Sequence, residues 1–364
     1  MQRFHIGHAV GGNAQALLEQ CLAQLGEIPP EGNFGFLYAT DTLAPEMGAI
    51  LEAAKSATGI EHWIGTIGLG ICATGREYYE EPAMALMIAD FPEHGFELLL
   101  NPESVPAQAA RSGLRVAVVH GDPRSAAVPE MLGSLPQQLG NGFLVGGLSS
   151  SRGAYATIAG GITEASLSGA VFGEEIPIVT GLTQGCSPIG PVRTVDECQG
   201  NIAVRIDGRA ALDVLKEDMG EILARDLNRA AGYIFAGFPI RGSDTGDYLV
   251  RNLLGVDSRR GLLAVGDQLT PGQSIMFCRR DGQTAVEDMG RMLEGVKKRL
   301  SGPPRGALYH TCLGRGRSLF GEDSQELKLI AEALGDIPLV GFYANGEISG
   351  NRLYGYTGVL TVFQ

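Results

Sequence analysis

A short glycine-rich segment near the carboxyl terminus concentrates residue types that bind small anions. Arg315 and Arg317 stand two positions apart in the run HTCLGRGR at residues 310–317, in a chain with more acidic than basic residues. A guanidinium group can hold a carboxylate through two parallel hydrogen bonds. The competing interpretation is a pair of surface arginines that form ion pairs with Glu322 or Asp323. The residues of this segment that we predict to bind an anionic small molecule are Cys312, Gly314, Arg315, Gly316 and Arg317.

Three further glycine-bearing segments follow predicted strands at the same place in a repeated pattern, at residues 65–68, 146–151 and 341–347. Exposed N–H groups in such turns can hold a carboxylate or phosphate, and polar side chains add directional hydrogen bonds. None matches a P-loop or the GxGxxG fingerprint. The recurrence predicts a shared pocket, although glycines that only let repeated strands turn and pack would produce the same pattern. The residues assigned to this pocket are Thr66, Gly68, Gly146, Gly147, Ser149, Asn345, Gly346 and Glu347.

Two cysteines in glycine-rich surroundings are candidate reactive thiols. Cys312 lies beside two arginines, which favour a lowered thiol pKa, and Cys186 lies in a loop at residues 181–188. A buried, inert thiol is the competing interpretation for each. Nucleophilic catalysis also needs a base and a group that orients it, and the sequence offers only His310 near Cys312 and no GxSxG motif. A cysteine enzyme that uses Cys312 is therefore an alternative and not the leading hypothesis.

Composition argues against several classes of partner. The net charge of −13 at pH 7 would repel a nucleic-acid backbone or an anionic bilayer. The six histidines include no HExxH motif and no Cys–His metal spacing, so we expect no metal site. The amino terminus contains no signal-peptide core, and no segment has the ~18 consecutive apolar residues of a membrane helix. Six singly spaced cysteines without a CxxC pair are typical of reduced thiols, and we expect a cytoplasmic protein.

Length and repeated patterning define the elements that must position these residues. A chain of 364 residues is longer than a single hydrophobic core usually supports, so we expect two domains, at residues 1–175 and 176–364. The order strand, helix, glycine-rich strand, strand recurs three times, beginning near residues 34, 114 and 306. This recurrence predicts an α/β fold of repeated β-α-β-β modules, with mixed sheets flanked by helices.

Local elements follow from hydrophobic spacing and from capping residues. Residues 13–26 place four leucines and a cysteine on one stripe, which predicts an amphipathic helix. Asp323 and Glu326 match a capping box at the start of another helix. Two apolar runs, at residues 262–265 and 275–278, flank a Pro-Gly turn and predict a hairpin.

The order of five motifs resembles the FIST family. The motifs are WIGTIGLG at residues 63–70, FLVGG at 143–147, CLGRGR at 312–317, PLVGFYANGEI at 338–348 and LYGYTG at 353–358. The resemblance covers nearly the whole chain, as a FIST N-terminal half followed by a FIST C-terminal half. It implies a signal-input role, in which the protein binds a small ligand such as an amino acid and performs no chemistry of its own.

The resemblance also bears on cofactors and partners. Some relatives look like haem-bound nitric-oxide sensors, so a haem sensor with one axial histidine is a second alternative. Haem is otherwise not expected as a cofactor. The chain ends at Gln364 without room for a kinase, cyclase or F-box segment. We therefore expect its output to pass through a signalling protein or through a homo-oligomer.

Overall fold

The computed structural model describes residues 2–100, 115–224, 232–240 and 248–364, with the backbone alone for residues 221–224. The chain forms two compact units. The larger unit comprises residues 1–184 and 286–364, and the smaller unit comprises residues 185–285. Among the described residues, no helix combines the length and the apolar character that crossing a bilayer requires.

The larger unit is built from three modules with a common order of elements. The first module contains β1 (His5–Val10), α1 (Ala14–Leu25), β2 (Phe34–Thr40), a 3-10 turn (Asp41–Glu46), α2 (Met47–Thr58), β3 (His62–Gly68), the hairpin strands β4 (Gly70–Ala73) and β5 (Arg76–Tyr79), and β6 (Ala83–Ala89). The second contains β7 (Phe96–Leu99), β8 (Val116–Gly121), α3 (Val128–Gln138), β9 (Phe143–Leu148), the hairpin strands β10 (Thr157–Ala159) and β11 (Gly161–Thr163), and β12 (Leu167–Phe172). The predicted helix at residues 13–26 is confirmed as α1, with Asn13 as its N-cap.

The smaller unit interrupts the third module directly after that module's first strand, β13 (Ile178–Gln184). Its elements are β14 (Cys186–Pro188), β15 (Arg193–Gln199), β16 (Ile202–Ile206), β17 (Arg209–Ala210), α4 (Ala211–Ala224), β18 (Ile234–Pro239), β19 (Tyr248–Asp257), β20 (Leu262–Val265) and β21 (Ser274–Arg280). Six of these strands close into an antiparallel ring in the order β15-β16-β20-β19-β18-β21. Leu212 and Leu215 of α4 pack with Leu263 and Phe277 of the ring in one apolar core.

The third module resumes after the smaller unit. Its remaining elements are α5 (Gly282–Arg299), β22 (Gly306–Cys312), α6 (Arg317–Phe320), α7 (Gln325–Leu334), β23 (Leu339–Ala344), the hairpin strands β24 (Glu347–Ser349) and β25 (Arg352–Tyr354), and β26 (Thr357–Phe363). Each module therefore contains one parallel pair, which is β2 with β3, β8 with β9, or β22 with β23. A helical segment joins the strands of each pair, as parallel pairing requires. The predicted α/β fold of repeated modules with mixed sheets is confirmed.

The hairpin of each module pairs with the sheet of another module. The described part of the larger unit contains three six-stranded sheets, ordered β1-β6-β2-β3-β10-β11, β7-β12-β8-β9-β24-β25 and β13-β26-β22-β23-β4-β5. The first four strands of each sheet belong to one module, and the last two are the hairpin of a different one. The exchange is cyclic, because the second module supplies the first, the third supplies the second and the first supplies the third. It places the carboxyl ends of β2, β8 and β22 around a common axis.

Three glycines lie within strands and not in the loops that the sequence predicts. Gly65, Gly146 and Gly341 occupy equivalent positions in β3, β9 and β23. A Cβ atom added to any of them would lie 1.8 Å from a backbone carbonyl oxygen of the parallel partner strand. Those oxygens belong to Leu37, Val119 and Tyr309. Glycine is required at these positions because two backbones approach too closely for a side chain, which is the packing role considered as the alternative.

The hairpin predicted from the apolar runs at residues 262–265 and 275–278 is wrong. β20 pairs with β16 and β19, whereas β21 pairs with β14, β15 and β18. The apolar pattern of each run correctly indicates a strand with one buried face. It does not identify the partner strand, because every strand edge offers the same backbone N–H and C=O groups to any neighbour.

The capping box predicted at Asp323 and Glu326 is also wrong, although the helix itself is present as α7. Asp323 and Ser324 have positive φ angles of 63° and 55°, and no side chain caps the first turn of α7. The Glu326 carboxylate instead accepts a hydrogen bond from the Arg315 side chain. A charged guanidinium forms a stronger hydrogen bond with a carboxylate than a neutral backbone N–H does.

Candidate functional site

One polar residue from each module meets on the axis, in a group that we call the axis cluster: Tyr38, His120 and His310. In each module this polar residue comes directly after the strand residue whose carbonyl oxygen lies against the module's strand glycine. Tyr38 Oη lies 3.0 Å from His120 Nε2 and 3.3 Å from His310 Nε2. All three side chains are fully buried, and Phe342 stacks on the Tyr38 ring with centroids 5.6 Å apart.

The axis cluster is a neutral hydrogen-bonded group. The single Tyr38 hydroxyl proton can be donated to one imidazole, while the other imidazole donates to the hydroxyl oxygen. Burial lowers the pKa of His120 well below its usual value and that of His310 to about 3, because a buried imidazolium would lose its hydration. The Nδ1 atoms of both histidines have no hydrogen-bond partner among the described residues. Sequence reasoning missed Tyr38 and His120, whose only signal was their shared position in the repeat.

A second buried group, the strand-end cluster, lies at the carboxyl end of β22 and consists of Cys312, Arg315, Glu326, Glu347 and Tyr356. Arg315 Nε donates to Glu326 Oε1 at 2.7 Å, and both side chains are completely buried. Arg315 is therefore not a surface arginine, and its ion-pair partner is Glu326 of α7.

Glu326 is held by several donors in addition to Arg315. Its Oε1 accepts a hydrogen bond from Tyr309 Oη at 2.6 Å, and its Oε2 accepts one from the Gly316 backbone N–H at 2.9 Å. Thr311 Oγ1 lies 3.3 Å from Oε1. A buried ion pair is tolerated when further hydrogen bonds satisfy its remaining atoms, and this pair meets that condition on the carboxylate side.

The Glu347 carboxyl group lies beside the Cys312 thiol in the same cluster. Glu347 Oε2 accepts hydrogen bonds from Thr357 N at 3.1 Å and Thr357 Oγ1 at 2.7 Å. Burial raises the pKa of Glu347 to about 8. Burial, reinforced by the neighbouring Glu347, raises the pKa of Cys312 to about 12. Cys312 is therefore a protonated thiol at neutral pH, which favours the inert interpretation of this residue over the reactive one.

Two buried polar atoms of the strand-end cluster have no hydrogen-bond partner in the described parts of the chain, namely Arg315 Nη2 and Glu347 Oε1. Half-buried residues lie next to them, including Cys312, Gly314 and Tyr356. Tyr356 has a positive φ of 63°, which is unfavourable for an aromatic residue, and its carbonyl oxygen is 3.4 Å from Arg315 Nη1. A Cβ on Gly314 would lie 2.9 Å from the Tyr356 ring. Backbone strain of this kind concentrates at ligand sites.

Arg317 lies apart from this buried pair. Its side chain is 40% exposed, forms an ion pair with Glu80 at 2.7 Å and stacks over the Tyr79 ring at 4.7 Å. Tyr79 belongs to the hairpin of the first module. A Cβ atom added to Gly316 would lie 2.0 Å from the Tyr79 hydroxyl oxygen. The turn after β22 is thus enclosed by two modules.

The structure also brings together the three glycine-bearing segments, but their polar groups bond to one another. Thr66 Oγ1 and Ser149 Oγ are 2.6 Å apart and fully buried. The backbone of Leu148 donates to the Gly346 carbonyl oxygen and accepts from the Asn345 N–H, both at 2.9 Å. Added Cβ atoms on Gly68 and Gly147 would contact the Phe342 and Ala344 side chains. An anion pocket formed by these residues stays a prediction, and Glu347 is the member that joins the strand-end cluster.

Cys186, the remaining predicted site residue, belongs to the smaller unit. It lies in β14 and is buried, and its carbonyl oxygen accepts a hydrogen bond from Tyr248. Across the described chain, no group of three or more His, Cys, Asp or Glu side chains could hold a metal ion. Haem does not fit His120 or His310, because Tyr38 engages both Nε2 atoms and the Phe342 ring packs against both imidazoles.

Two protein-family models match this chain, the FIST N domain over residues 33–209 and the FIST C domain over residues 211–350. Together they span most of its length, and the chain belongs to the FIST family. FIST domains are generally small-ligand sensory domains of signalling proteins. The junction of the two matches falls within the smaller unit, immediately before α4. The predicted domain boundary near residue 175 stays a prediction.

Curated relatives extend over nearly the same length. An uncharacterized protein of Mycobacterium tuberculosis strain H37Rv is 29% identical over 338 residues, which cover 86% of each chain. An uncharacterized protein of Mycobacterium bovis is 28% identical over 346 residues, which cover 89% of this chain and 87% of the relative. Their names specify no ligand, so the argument for function rests on the geometry of the site.

Proposed function

We propose that this protein is a sensory module that binds a small anionic molecule, such as an amino acid, at the strand-end cluster and performs no chemistry on it. The observation that carries the proposal is the unpartnered Nη2 of Arg315. Glu326 fixes Arg315 through Nε and leaves Nη2 as a buried donor with no protein acceptor among the described residues. Buried polar groups are hydrogen-bonded in the great majority of cases, and a ligand carboxylate would supply the missing acceptor.

Entry of the ligand requires a local movement, because Arg315 is 1% exposed. Tyr356 is the residue we expect to move, since its backbone is strained and its ring packs directly against Gly314. A ligand that lets Tyr356 relax recovers part of the strain as binding free energy.

Ligand binding at Arg315 would act on a contact between modules. The turn that carries Arg315 continues into Arg317, which pairs with Glu80 next to the first module's hairpin. We propose that a signalling protein in the cytoplasm, or a second copy of this chain, reads a change at this surface. Such an output needs no catalytic group, in agreement with the protonated state of Cys312.

A thermal-shift screen against amino acids and small organic acids tests the proposal. We expect at least one carboxylate at millimolar concentration to raise the melting temperature by several degrees, because a ligand that binds only the folded state stabilises it by mass action. Arg315→Lys keeps a positive charge near Glu326 but removes the guanidinium fork, and it should abolish the shift. Arg317→Lys is the matched control and should retain it. Failure of every acid to shift the wild-type protein, or loss of the shift in Arg317→Lys alone, would contradict the assignment.

A further inference from the structure

We propose that the anionic ligand is bound together with one proton, which resides on Glu347 Oε1 and is donated to the ligand in a hydrogen bond. The inference rests on the proposed function and assigns a specific role to a second residue of the same site. Glu347 would then be a neutral donor beside the cationic donor Arg315.

The hydrogen bonds of Glu347 identify which oxygen carries the proton. Oε2 accepts two hydrogen bonds from Thr357, one from the backbone N–H and one from the hydroxyl group. A proton on Oε2 would point toward these donors. The proton of the neutral carboxyl group therefore belongs on Oε1, which accepts no geometric hydrogen bond from the described residues, although the weakly donating Cys312 thiol lies beside the carboxyl group.

Burial favours this neutral form, and the one nearby cation, Arg315, opposes it only in part. The charged and titratable groups of the elements around Glu347 are few. They are Tyr309 and Cys312 of β22, Arg315 of the turn after β22, Glu326 of α7, Tyr354 of β25, Tyr356 of the turn before β26 and, two strands away, His120 of β8. Arg315 is the cation of this set, and Glu326 already balances its charge at 2.7 Å.

Cys312 and His120 do not change this balance near neutral pH. The Cys312 thiol has a pKa of about 12, and His120 is neutral because burial lowers its pKa. The β9 residue that pairs with Glu347 is Gly147, which adds no side chain. Glu347 is consequently a fully buried carboxyl group without a counter-ion of its own, and burial keeps such a group protonated.

An anion suits two hydrogen-bond donors that lie in the same buried cluster. Arg315 Nη2–H and Glu347 Oε1–H would each donate to one carboxylate, and a neutral carboxylic acid that serves as a buried donor is an established arrangement in protein sites. Ionised Glu347 would instead present a negative charge and no proton to the ligand. The site therefore selects anions only while Glu347 is protonated.

Proton linkage makes the inference quantitative. A ligand that binds only the protonated form loses affinity as pH rises through the pKa of the free site, about 8. The association constant should be level below pH ~7 and fall about tenfold per pH unit above pH ~8. Binding near pH 9 should take up close to one proton per ligand.

Isothermal titration calorimetry with acetate as the probe, from pH 6.5 to 9.5 in buffers of different ionisation enthalpy, measures both quantities. Glu347→Gln replaces the carboxyl donor with an amide donor, so it should retain acetate binding and remove the pH dependence. Glu77→Gln is the matched control, because burial raises the pKa of Glu77 to about 7 but Glu77 lies on β5. This variant should keep the alkaline loss of affinity.

The outcomes separate this inference from the proposed function. Wild-type protein that binds acetate with equal affinity across the range, or without proton uptake near pH 9, would overturn the role of Glu347 and leave the anion site in place. Transfer of the pH dependence from Glu347 to Glu77 in the variants would overturn it as well. Absence of acetate binding at every pH, in both wild type and Glu347→Gln, would overturn the anion site itself.

Discussion

The axis cluster and the strand-end cluster are both buried polar groups at the ends of β22 and its neighbours, yet they are built in opposite ways. Each module contributes one residue at an equivalent position to the axis cluster, and the result is uncharged. The strand-end cluster takes all five of its residues from the third module, from β22, α7, the hairpin strand β24 and two turns, and it contains an ion pair with no solvent exposure. The symmetric group joins the modules, whereas the asymmetric group contains the charged side chains to which we propose that a ligand binds.

The equivalent strand ends of the other two modules support this distinction. Asp41, directly after β2, forms an ion pair with Arg152, whose side chain is 57% exposed. Asp122, directly after β8, pairs with Arg124, whose side chain is 63% exposed. Both arginines reach solvent, where water satisfies their remaining donors. Among the three described strand ends, only that of the third module has a buried guanidinium, and this costly arrangement supports the proposed role of Arg315.

Breaking the buried ion pair should have the largest effect. Glu326→Ala leaves Arg315 as an uncompensated buried charge, and we expect a loss of about 3–5 kcal/mol in the free energy of unfolding. Glu80→Ala removes the exposed partner of Arg317 and should cost less than about 1 kcal/mol. Urea denaturation of both variants measures the difference. Equal losses would show that burial does not distinguish the two arginines.

Removing the central hydroxyl of the axis cluster should have a smaller effect. Tyr38→Phe leaves two buried imidazoles without their shared partner, and we expect a loss of about 1–3 kcal/mol. Thr361→Val is the matched control, because Thr361 is equally buried and its hydroxyl has no hydrogen-bond partner in the described chain. A loss in Thr361→Val as large as that in Tyr38→Phe would mean that the axis hydrogen bonds contribute little.

The two clusters should change stability with pH in opposite directions. The folded-state pKa values of His120 and His310 are lowered, so their contribution is lost as pH falls below ~6.5. The folded-state pKa of Glu347 is raised from 4.5 to about 8, so its contribution is lost as pH rises through that interval. Urea midpoints between pH 5 and 9 test both signs, since each proton contributes up to ~1.4 kcal/mol per pH unit.

Two conservative variants assign these slopes to their residues. His310→Gln retains a partner for Tyr38 and should weaken the acidic loss of stability. Glu347→Gln should weaken the alkaline loss. A variant that altered the opposite limb of the pH profile would contradict the assignment of that limb.

The smallest expected effect is a difference between the tautomers of His120 and His310, which is measured on the wild-type protein without any change in its stability. Because Tyr38 has one hydroxyl proton, His120 and His310 should be opposite neutral tautomers, one protonated at Nε2 and the other at Nδ1. Nitrogen-15 spectra of histidine-labelled protein distinguish the two forms. Identical tautomers in both rings would require Tyr38 to bond in another way, and Tyr38→Phe should remove any difference between them.

Sequence reasoning located part of the candidate site. Arg315 was a candidate together with Arg317, because a guanidinium in a glycine-rich turn after a strand can hold an anion, and Glu347 was a candidate from its place in a repeated glycine-bearing segment. Glu326 was misread as a helix cap, since the same spacing suits a capping box. Tyr38 and His120 carried no local signal, because an aromatic or imidazole side chain in an apolar strand is compatible with ordinary core packing.

By itself, the sequence determined the α/β class, the threefold repetition and the helical faces, because these depend on hydrophobic periods of 3.6 and 2 residues along a continuous stretch. Tertiary structure alone decided which strands pair, since a strand edge offers the same backbone donors and acceptors to any partner. It also decided which charges are buried. Arg315 and Arg317 have the same side chain and nearly the same place in the sequence. In the folded chain Arg315 is a buried donor in the strand-end cluster, whereas Arg317 is exposed and contacts Glu80 next to the first module's hairpin.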